Sequence, residues 1–259
     1  MPRPPLSVTI IAKNEEGQIA QAIRSVAWAE EVLVVDSGSQ DRTREIAEAE
    51  GARVIHHDWQ GYGQQKNFAQ EQARHDWVLS LDADERVSPE LAAEIRTELG
   101  RVDGSANPWA AFSMARRTFY LGRWIRYGGW YPNVLIRLSN RRLSRWTEPN
   151  VHEQLLVRGK VLRLKHDLEH DSFGSVHDQV LTNVRFSQLG TSDLRSKGKT
   201  GSVVLLLFKP IGKFIETYLL KRGFLDGLAG LIISVNAAHS MFMKYAALLE
   251  SRLRRDAQR

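Results

Sequence analysis

The sequence predicts an α/β fold: a mostly parallel sheet first, mixed strands after it, and a helical extension at the C-terminus. Three observations predict this. Apolar strand-like runs alternate with helix-period segments as far as Gly100, short strands without long intervening helices follow from Trp109, and residues 190–259 turn apolar and basic. At 259 residues, 42% hydrophobic and 25% charged, the chain can bury a substantial core in one large domain plus an extension. That composition excludes global disorder and fibrous repeats.

Leu6 to Ala12 is an apolar run that reads as a buried strand, and Ile19, Ala22, Ile23 and Val26 then share one face of a helix for which Asn14 is the expected cap. Glu31 to Asp36 is the second strand, Ser37 to Gln40 a turn, Asp41 to Glu50 a helix stopped by Gly51, and Arg53 to His56 a third strand. A polar helix spans Gln64 to Ala73. Trp77 to Leu81 is a fourth strand, and Ser88, Pro89 and Gly100 mark the cap, first position and end of the next helix. Strands are then expected at Ala111–Arg116, Val134–Leu138, Val151–Val157 and Val161–Leu164, followed by a helix over 176–189 and an exposed linker over 192–202. Beyond lie the apolar run Val203–Phe208, Pro210, and an apolar stretch Phe224–Leu249.

There is no cysteine, which excludes disulfides, thiolate metal sites and cysteine nucleophiles and leaves any metal to carboxylates and imidazoles. The opening MPRPPLSVTII carries no signal-peptide pattern. The net charge of +6 is unevenly placed: residues 1–189 hold 24 Lys and Arg against 25 Asp and Glu, residues 190–259 hold 12 against 5. Between Gly104 and Thr147 eight arginines occur with no acidic residue. Anionic partners are therefore expected at two places.

In open α/β sheets ligands bind at the carboxyl ends of the strands. Lys13-Asn14-Glu15, Asp36-Ser-Gly-Ser and Asp82-Ala83-Asp84-Glu85 stand there. No G-x-G-x-x-G or G-x-x-x-x-G-K-[ST] follows the first strand, so the phosphate cradles those motifs build are not expected. Asp82 and Asp84 are one residue apart past a buried strand. Either a hard divalent cation joins them, or they form a solvated acidic turn capping the next helix.

The runs Ser7-Val-Thr-Ile-Ile-Ala-Lys-Asn-Glu-Glu16, Glu31-Val-Leu-Val-Val-Asp-Ser-Gly-Ser-Gln-Asp-Arg-Thr43 and Leu79-Ser-Leu-Asp-Ala-Asp-Glu85 resemble the inverting family 2 glycosyltransferases. Gly61-Tyr-Gly-Gln-Gln-Lys-Asn67, Val151-His-Glu153 and Leu168-Glu-His170 are similar to the branch with lipopolysaccharide and lipooligosaccharide core β-1,4-glucosyltransferases. The resemblance implies a GT-A fold, with a Rossmann-like nucleotide-binding half and a mixed central sheet, over residues 1–190. The nucleotide-sugar half is expected at 1–104, the acceptor half at 105–190, and a basic, apolar helical extension at 191–259. It also implies that Ala12, Asn14, Glu15, Asp36, Lys66, Asp82, Ala83 and Arg137 bind the nucleotide sugar, that Asp84 and His170 hold Mg²⁺ or Mn²⁺, and that Glu153 is the general base. Three of these have a plain alternative: a surface histidine for His170, a solvated lysine for Lys66, and for Glu153 an exposed edge-strand carboxylate paired with Arg158. Arg137, inside an expected strand, needs an anionic partner if buried, and a substrate phosphate is the expected one. Arg141, Arg142 and Arg145 read as a solvated turn.

The implied donor is UDP-glucose and the implied acceptor a lipid A-core or related glycolipid; a polyprenyl phosphate is the rival acceptor. Aromatic and arginine side chains interleave from Trp109 to Trp146, which suits phosphorylated sugars. The same mixture suits single-stranded nucleic acid, but no RNA-binding signature occurs and the acidic motif opposes that partner. The apolar, basic tail reads as docking on the anionic inner face of the cytoplasmic membrane. A buried helical hairpin or a homo-oligomer interface is the alternative.

Overall fold

A computed structural model describes residues 3–102, 109–148 and 153–256. The elements run β1 (Leu6–Ala12), α1 (Ile19–Ser25), β2 (Glu31–Asp36), α2 (Thr43–Ala49), β3 (Arg53–His56), α3 (Tyr62–Gln72), β4 (Trp77–Asp82), β5 (Glu85–Val87) and α4 (Pro89–Gly100). Next come β6 (Trp109–Tyr120), β7 (Arg123–Ile125), β8 (Asn133–Asn140), β9 (Ser144–Trp146), β10 (Leu155–Val157), β11 (Lys160–Arg163) and β12 (Leu168–His170). The chain ends in α5 (Val176–Ser196), α6 (Val203–Phe214), a π-helical segment Ile215–Leu220, a 3₁₀ turn Gly223–Asp226 and α7 (Gly227–Asp256). Two compact units result: Met1–Arg117 with Asn133–His170, and Thr118–Pro132 with Asp171–Arg259.

In the first unit the main sheet has the order β3-β2-β1-β4-β8-β6-β12-β5. The first four are parallel, and β8 pairs antiparallel with both β4 and β6. It is the mixed α/β sheet expected. Every residue of β1 is buried, as a strand covered by helices on both faces requires. Leu6, Val8, Ile10, Leu79, Leu81, Ile19, Ile23, Leu91 and Ile95 pack into one core. The chain leaves β1 for β2 and β3 on one side and returns to β4 on the other, so the carboxyl ends of β1, β2 and β4 meet at a switch in strand order. Ala12 pairs with Asp36 and Ile11 with Asp82 in register.

Ser88 caps α4 by accepting from Leu91 N at 3.2 Å, and Gly51 leaves α2 at φ +84°. Other expectations need correction. Asn14 does not cap α1, which starts four residues later than that cap would place it; Asn14 adopts φ +57° and its Oδ1 accepts from Gln40 N at 2.8 Å. The helix expected over 176–189 continues to Ser196, into the segment expected as linker, because Thr191 and Arg195 bond the backbone of α7 at Lys244 and Ala247. β6 is also longer than expected, since β8, β11 and β7 pair along its length. Of the strand expected at Val151–Val157, only Leu155–Val157 forms, paired with β9; Val151 and His152 lie outside the described residues.

The second unit has its own small core of Tyr120, Ile125, Ala229 and Ile233, with Trp130 and Phe173 against it. Some of the aromatics of the Trp109–Trp146 segment thus serve packing. Tyr120 Oη donates to Gln179 Oε1 at 2.7 Å, and Asn236 Nδ2 donates to the same oxygen at 2.5 Å. Gly230 lies so close to Gly223 that a Cβ would sit 1.8 Å from its carbonyl oxygen, which brings the 3₁₀ turn onto α7. The helical stretch Gly223–Arg254, the 3₁₀ turn with most of α7, is long and apolar enough to cross a membrane by length and composition, with 33% of its apolar window buried. Asp226 is buried and accepts from Arg126 N at 3.1 Å and Tyr127 N at 2.8 Å. Asp226→Ala strands both donors, and urea denaturation should show a loss of about 1–3 kcal/mol, the cost of buried groups left unpaired.

Candidate active site

Polar side chains gather where β1, β2 and β4 end. Asp36, fully buried, turns its carboxylate back on its own loop and accepts from Gly38 N at 3.0 Å and Ser39 N at 3.1 Å. The loop after β1 is laced to the loop after β2: Asn14 N donates to Ser39 Oγ, Glu15 N to Thr43 Oγ1 and Glu16 N to Asp41 Oδ2. Ala12 accepts from Ser37 N through its carbonyl, and Ala83 packs its side chain into the core.

Asp82 is the hub. Its Oδ2 accepts from Arg137 Nη2 at 2.6 Å, while Lys66 Nζ lies 3.1 Å from Oδ1 and 2.7 Å from Glu153 Oε1. Lys66 is 2% exposed and rests over the Trp146 ring at 4.9 Å. It is a buried ammonium between two carboxylates rather than a solvated lysine. Arg137 also donates to Glu85 Oε1, which accepts from Arg116 as well, and Glu85 Oε2 accepts from Asp82 N. The anion expected for a buried Arg137 is therefore this carboxylate pair, not a substrate phosphate. Burial pushes the Asp82 carboxyl up, but Arg137 and Lys66 outweigh it and hold the group well below the usual carboxylate range.

Asp84 points elsewhere: its Oδ2 is 3.1 Å from His170 Nε2. The register of β12 against β5 sets this, pairing His170 with Glu85. His170 is the last residue of β12 and is 8% exposed, so it is not a surface histidine. Glu15 carries the opposite perturbation from Asp82. Burial first, then Asp84, Asp41 and Asp82, push its carboxyl up to about 7.

Glu153 is neither in β10 nor paired with Arg158, whose Nη2 donates to Arg142 O. Arg141 is not a solvated turn residue either; it donates to Ala73 O at 2.5 Å and holds the end of α3. Sequence reasoning missed Glu85, Arg116 and Asn67 as structural parts of the site. Glu85 was recoverable from Glu85-Arg-Val87, where an inward Val87 makes Glu85 inward too. Asn67 clamps Trp146 from both sides, accepting from its N at 2.9 Å and donating to its O at 3.0 Å. Gly63 permits the approach, since a Cβ there would meet Thr147 O at 2.0 Å.

Charged side chains gathered at a strand-order switch mark this end of the sheet as the candidate ligand site. Residues 7–155 match the family described as glycosyl transferase family 2, and the chain belongs to that family: it is a glycosyltransferase. It is 32% identical to an uncharacterized glycosyltransferase of Rickettsia typhi, over 96% of this chain and 88% of the other. It is 30% identical to the lipopolysaccharide core biosynthesis glycosyltransferase LpsC of Rhizobium meliloti, over 96% and 94% respectively. Among solved structures, glucosyl-3-phosphoglycerate synthase of Mycobacterium tuberculosis overlaps 45% of this chain and 44% of its own, with 25% identity and a TM-score of 0.37.

Removing the hub's cation should be costly. Arg137→Met leaves Asp82 and Glu85 without their shared partner, and chemical denaturation should register a loss of about 3–5 kcal/mol. Glu15 gives a pH signature. Its folded pKa is raised from 4.5 to about 7, so the native state holds the extra proton between those values and stability falls as pH rises through the window. Glu15→Gln should flatten that decline in a plot of melting temperature against pH.

Proposed function

We propose that this enzyme transfers a hexose, glucose from UDP-glucose, to a sugar of a lipopolysaccharide core with inversion at the anomeric carbon. The observation that carries the reading is the cluster Asp82–Lys66–Glu153 beside the Asp84–His170 pair, all at the strand ends. The family membership and the likeness to LpsC support it.

In this reading Asp36, Asn14, Glu15 and the backbone at Ala12 and Ala83 form the nucleoside side of the site, with Asp82 toward the ribose. Arg137 keeps Asp82 ionised and in place rather than touching the donor. Mg²⁺ or Mn²⁺ would be held by Asp84 and His170. A carboxylate oxygen and an imidazole nitrogen lie 3.1 Å apart there, donors of the kind such ions accept. Asp82 is already held by both cations, its Oδ1 lying 3.1 Å from Lys66 Nζ and its Oδ2 accepting from Arg137. Among the described residues no three acidic or histidine side chains gather to hold an ion, so the donor's phosphates would supply other ligands. When bound, the ion supplies positive charge to offset that of the departing diphosphate.

Lys66 serves the same end from the protein side: a diphosphate gives its ammonium a third anion to share, which loosens its hold on Glu153. Glu153 then takes the proton of the acceptor hydroxyl as that oxygen bonds to the anomeric carbon. The bond from that carbon to the diphosphate breaks, and its electron pair leaves with UDP. The acceptor being lipid-linked, the enzyme would work at the inner face of the cytoplasmic membrane.

Thermal shift with nucleoside diphosphates, with and without Mn²⁺, tests the binding half. UDP should stabilise the protein with metal present, and Asp84→Ala should abolish that response; stabilisation that is equal without metal, or intact in Asp84→Ala, overturns the metal assignment. Glu153→Gln should leave UDP affinity intact and lower transfer by roughly 10²- to 10⁴-fold, the contribution of a positioned base. Near-normal turnover at saturating donor and acceptor would remove Glu153 from the chemistry.

A further inference from the structure

The second unit carries an apolar surface that its own fold leaves uncovered. No residue of α6 is buried. Val203, Val204, Leu207, Phe208 and Ile211 recur at helical spacing along one side, each more than half exposed. The chain then turns back, and Leu219, Leu220, Phe224, Leu225 and Leu228 stand 46–74% exposed within ten residues. Lys221 and Arg222, also exposed, sit among them. So dense a patch of large apolar side chains marks an interaction surface.

The corner is built rather than frayed. Lys221 O accepts from Gly128 N at 2.9 Å, Asp226 O accepts from Arg123 Nη1 at 2.9 Å, and the Asp226 carboxylate holds two more backbone donors. A surface fixed in this way presents its leucines outward as a stable feature, not as a fluctuation.

Charge selects the occupant. Residues 203–235 contain Lys209, Lys213, Lys221 and Arg222 against Glu216 and Asp226. Both acids are engaged internally, Glu216 by Lys213 and Lys221 and Asp226 by backbone donors. Lys209 and Arg222 remain exposed cations beside the apolar side chains, the combination that suits an anionic lipid surface. A second copy about a two-fold axis would instead bring this basic patch onto itself. Crossing the bilayer does not fit either: α7 lies along α5, tied to it through Gln179, Thr191 and Arg195.

We infer that the outer side of α6 and the corner Leu219–Leu228 enter the headgroup and upper acyl region of an anionic bilayer without crossing it. The inference deepens the proposed membrane-proximal acceptor and rests on that reading for its role in the reaction. The binding itself is measured separately.

The test is sedimentation of the full chain with vesicles of phosphatidylcholine alone or mixed with phosphatidylglycerol. The wild type should sediment with the mixed vesicles and weakly with phosphatidylcholine. Leu220→Glu with Leu228→Glu, both on side chains exposed by more than 70%, should lower the partition constant by at least roughly tenfold, since even partial burial of two leucines exceeds that factor. Lys209→Glu with Arg222→Glu should reduce binding at low salt and approach the wild type at high salt. Leu156→Glu, an equally polar change on the first unit, should leave binding unchanged. Circular dichroism checks that each variant folds. Vesicle-indifferent wild type, or a Leu220/Leu228 variant that binds as well as the wild type, overturns the inference. So does a wild-type dimer by analytical ultracentrifugation that this variant converts to monomer, which would assign the face to a second copy. Loss of vesicle binding with the Mn²⁺-dependent UDP response retained separates this surface from the sugar-transfer reading.

Discussion

A guanidinium sealed in a sheet is the constraint on which the first unit depends. Arg137, 4% exposed on β8, meets Asp82 from the end of β4 and Glu85 from the start of β5. Isolated in a low-dielectric interior, any of the three charges would be expensive; together, with Arg116 and Lys66 at the margins, they form a network that locates the turn between β4 and β5. That location has a chemical result. With Asp82 drawn inward to cations, Asp84 faces His170, so two aspartates one residue apart have different surroundings. The network also lies where the sheet changes from parallel to antiparallel pairing, at β4 against β8.

Much of this order is legible in the sequence where local rules govern. β2 and β3 have the expected limits, and Ser88, Pro89 and Gly100 bound α4 as capping chemistry requires. The short strands are another matter. β5, β7, β9 and β12 have three residues each, too few to display a period, and they exist because a distant partner accepts their hydrogen bonds. The same holds for the site. Asp82, Asp84 and Lys66 could be singled out as polar residues near strand ends, but their partners lie far along the chain. Lys66 finds Glu153 across 87 residues, and Arg137 finds Asp82 across 55. A burial argument could demand an anion for Arg137; only the fold could name a carboxylate of the protein.

The C-terminal region shows a different limit. Ala229, Ile233 and Leu248 of α7 are buried while Leu228, Leu231 and Val235 are exposed, although composition alone treats them alike. Pairing with α5 and the small core around Tyr120 decide which side turns in. One face of α7 is thus buried and the other exposed. The two units also divide the chain at His170 and Asp171, twenty residues before the point at which charge and hydropathy change along the sequence.

The lacing of the two strand-end loops has its own consequence. Asn14 in its left-handed conformation, Ser39, Thr43 and Asp41 hold residues 13–16 against 37–43 through backbone and side-chain hydrogen bonds. A wall already stitched in this way has little freedom left to lose, so a ligand arriving there meets almost no ordering penalty from it. Its binding entropy should be governed by released water and by the ligand's own rotors. Discrimination between ligands would then rest on direct contact energies, since moving these loops would cost the hydrogen bonds that lace them.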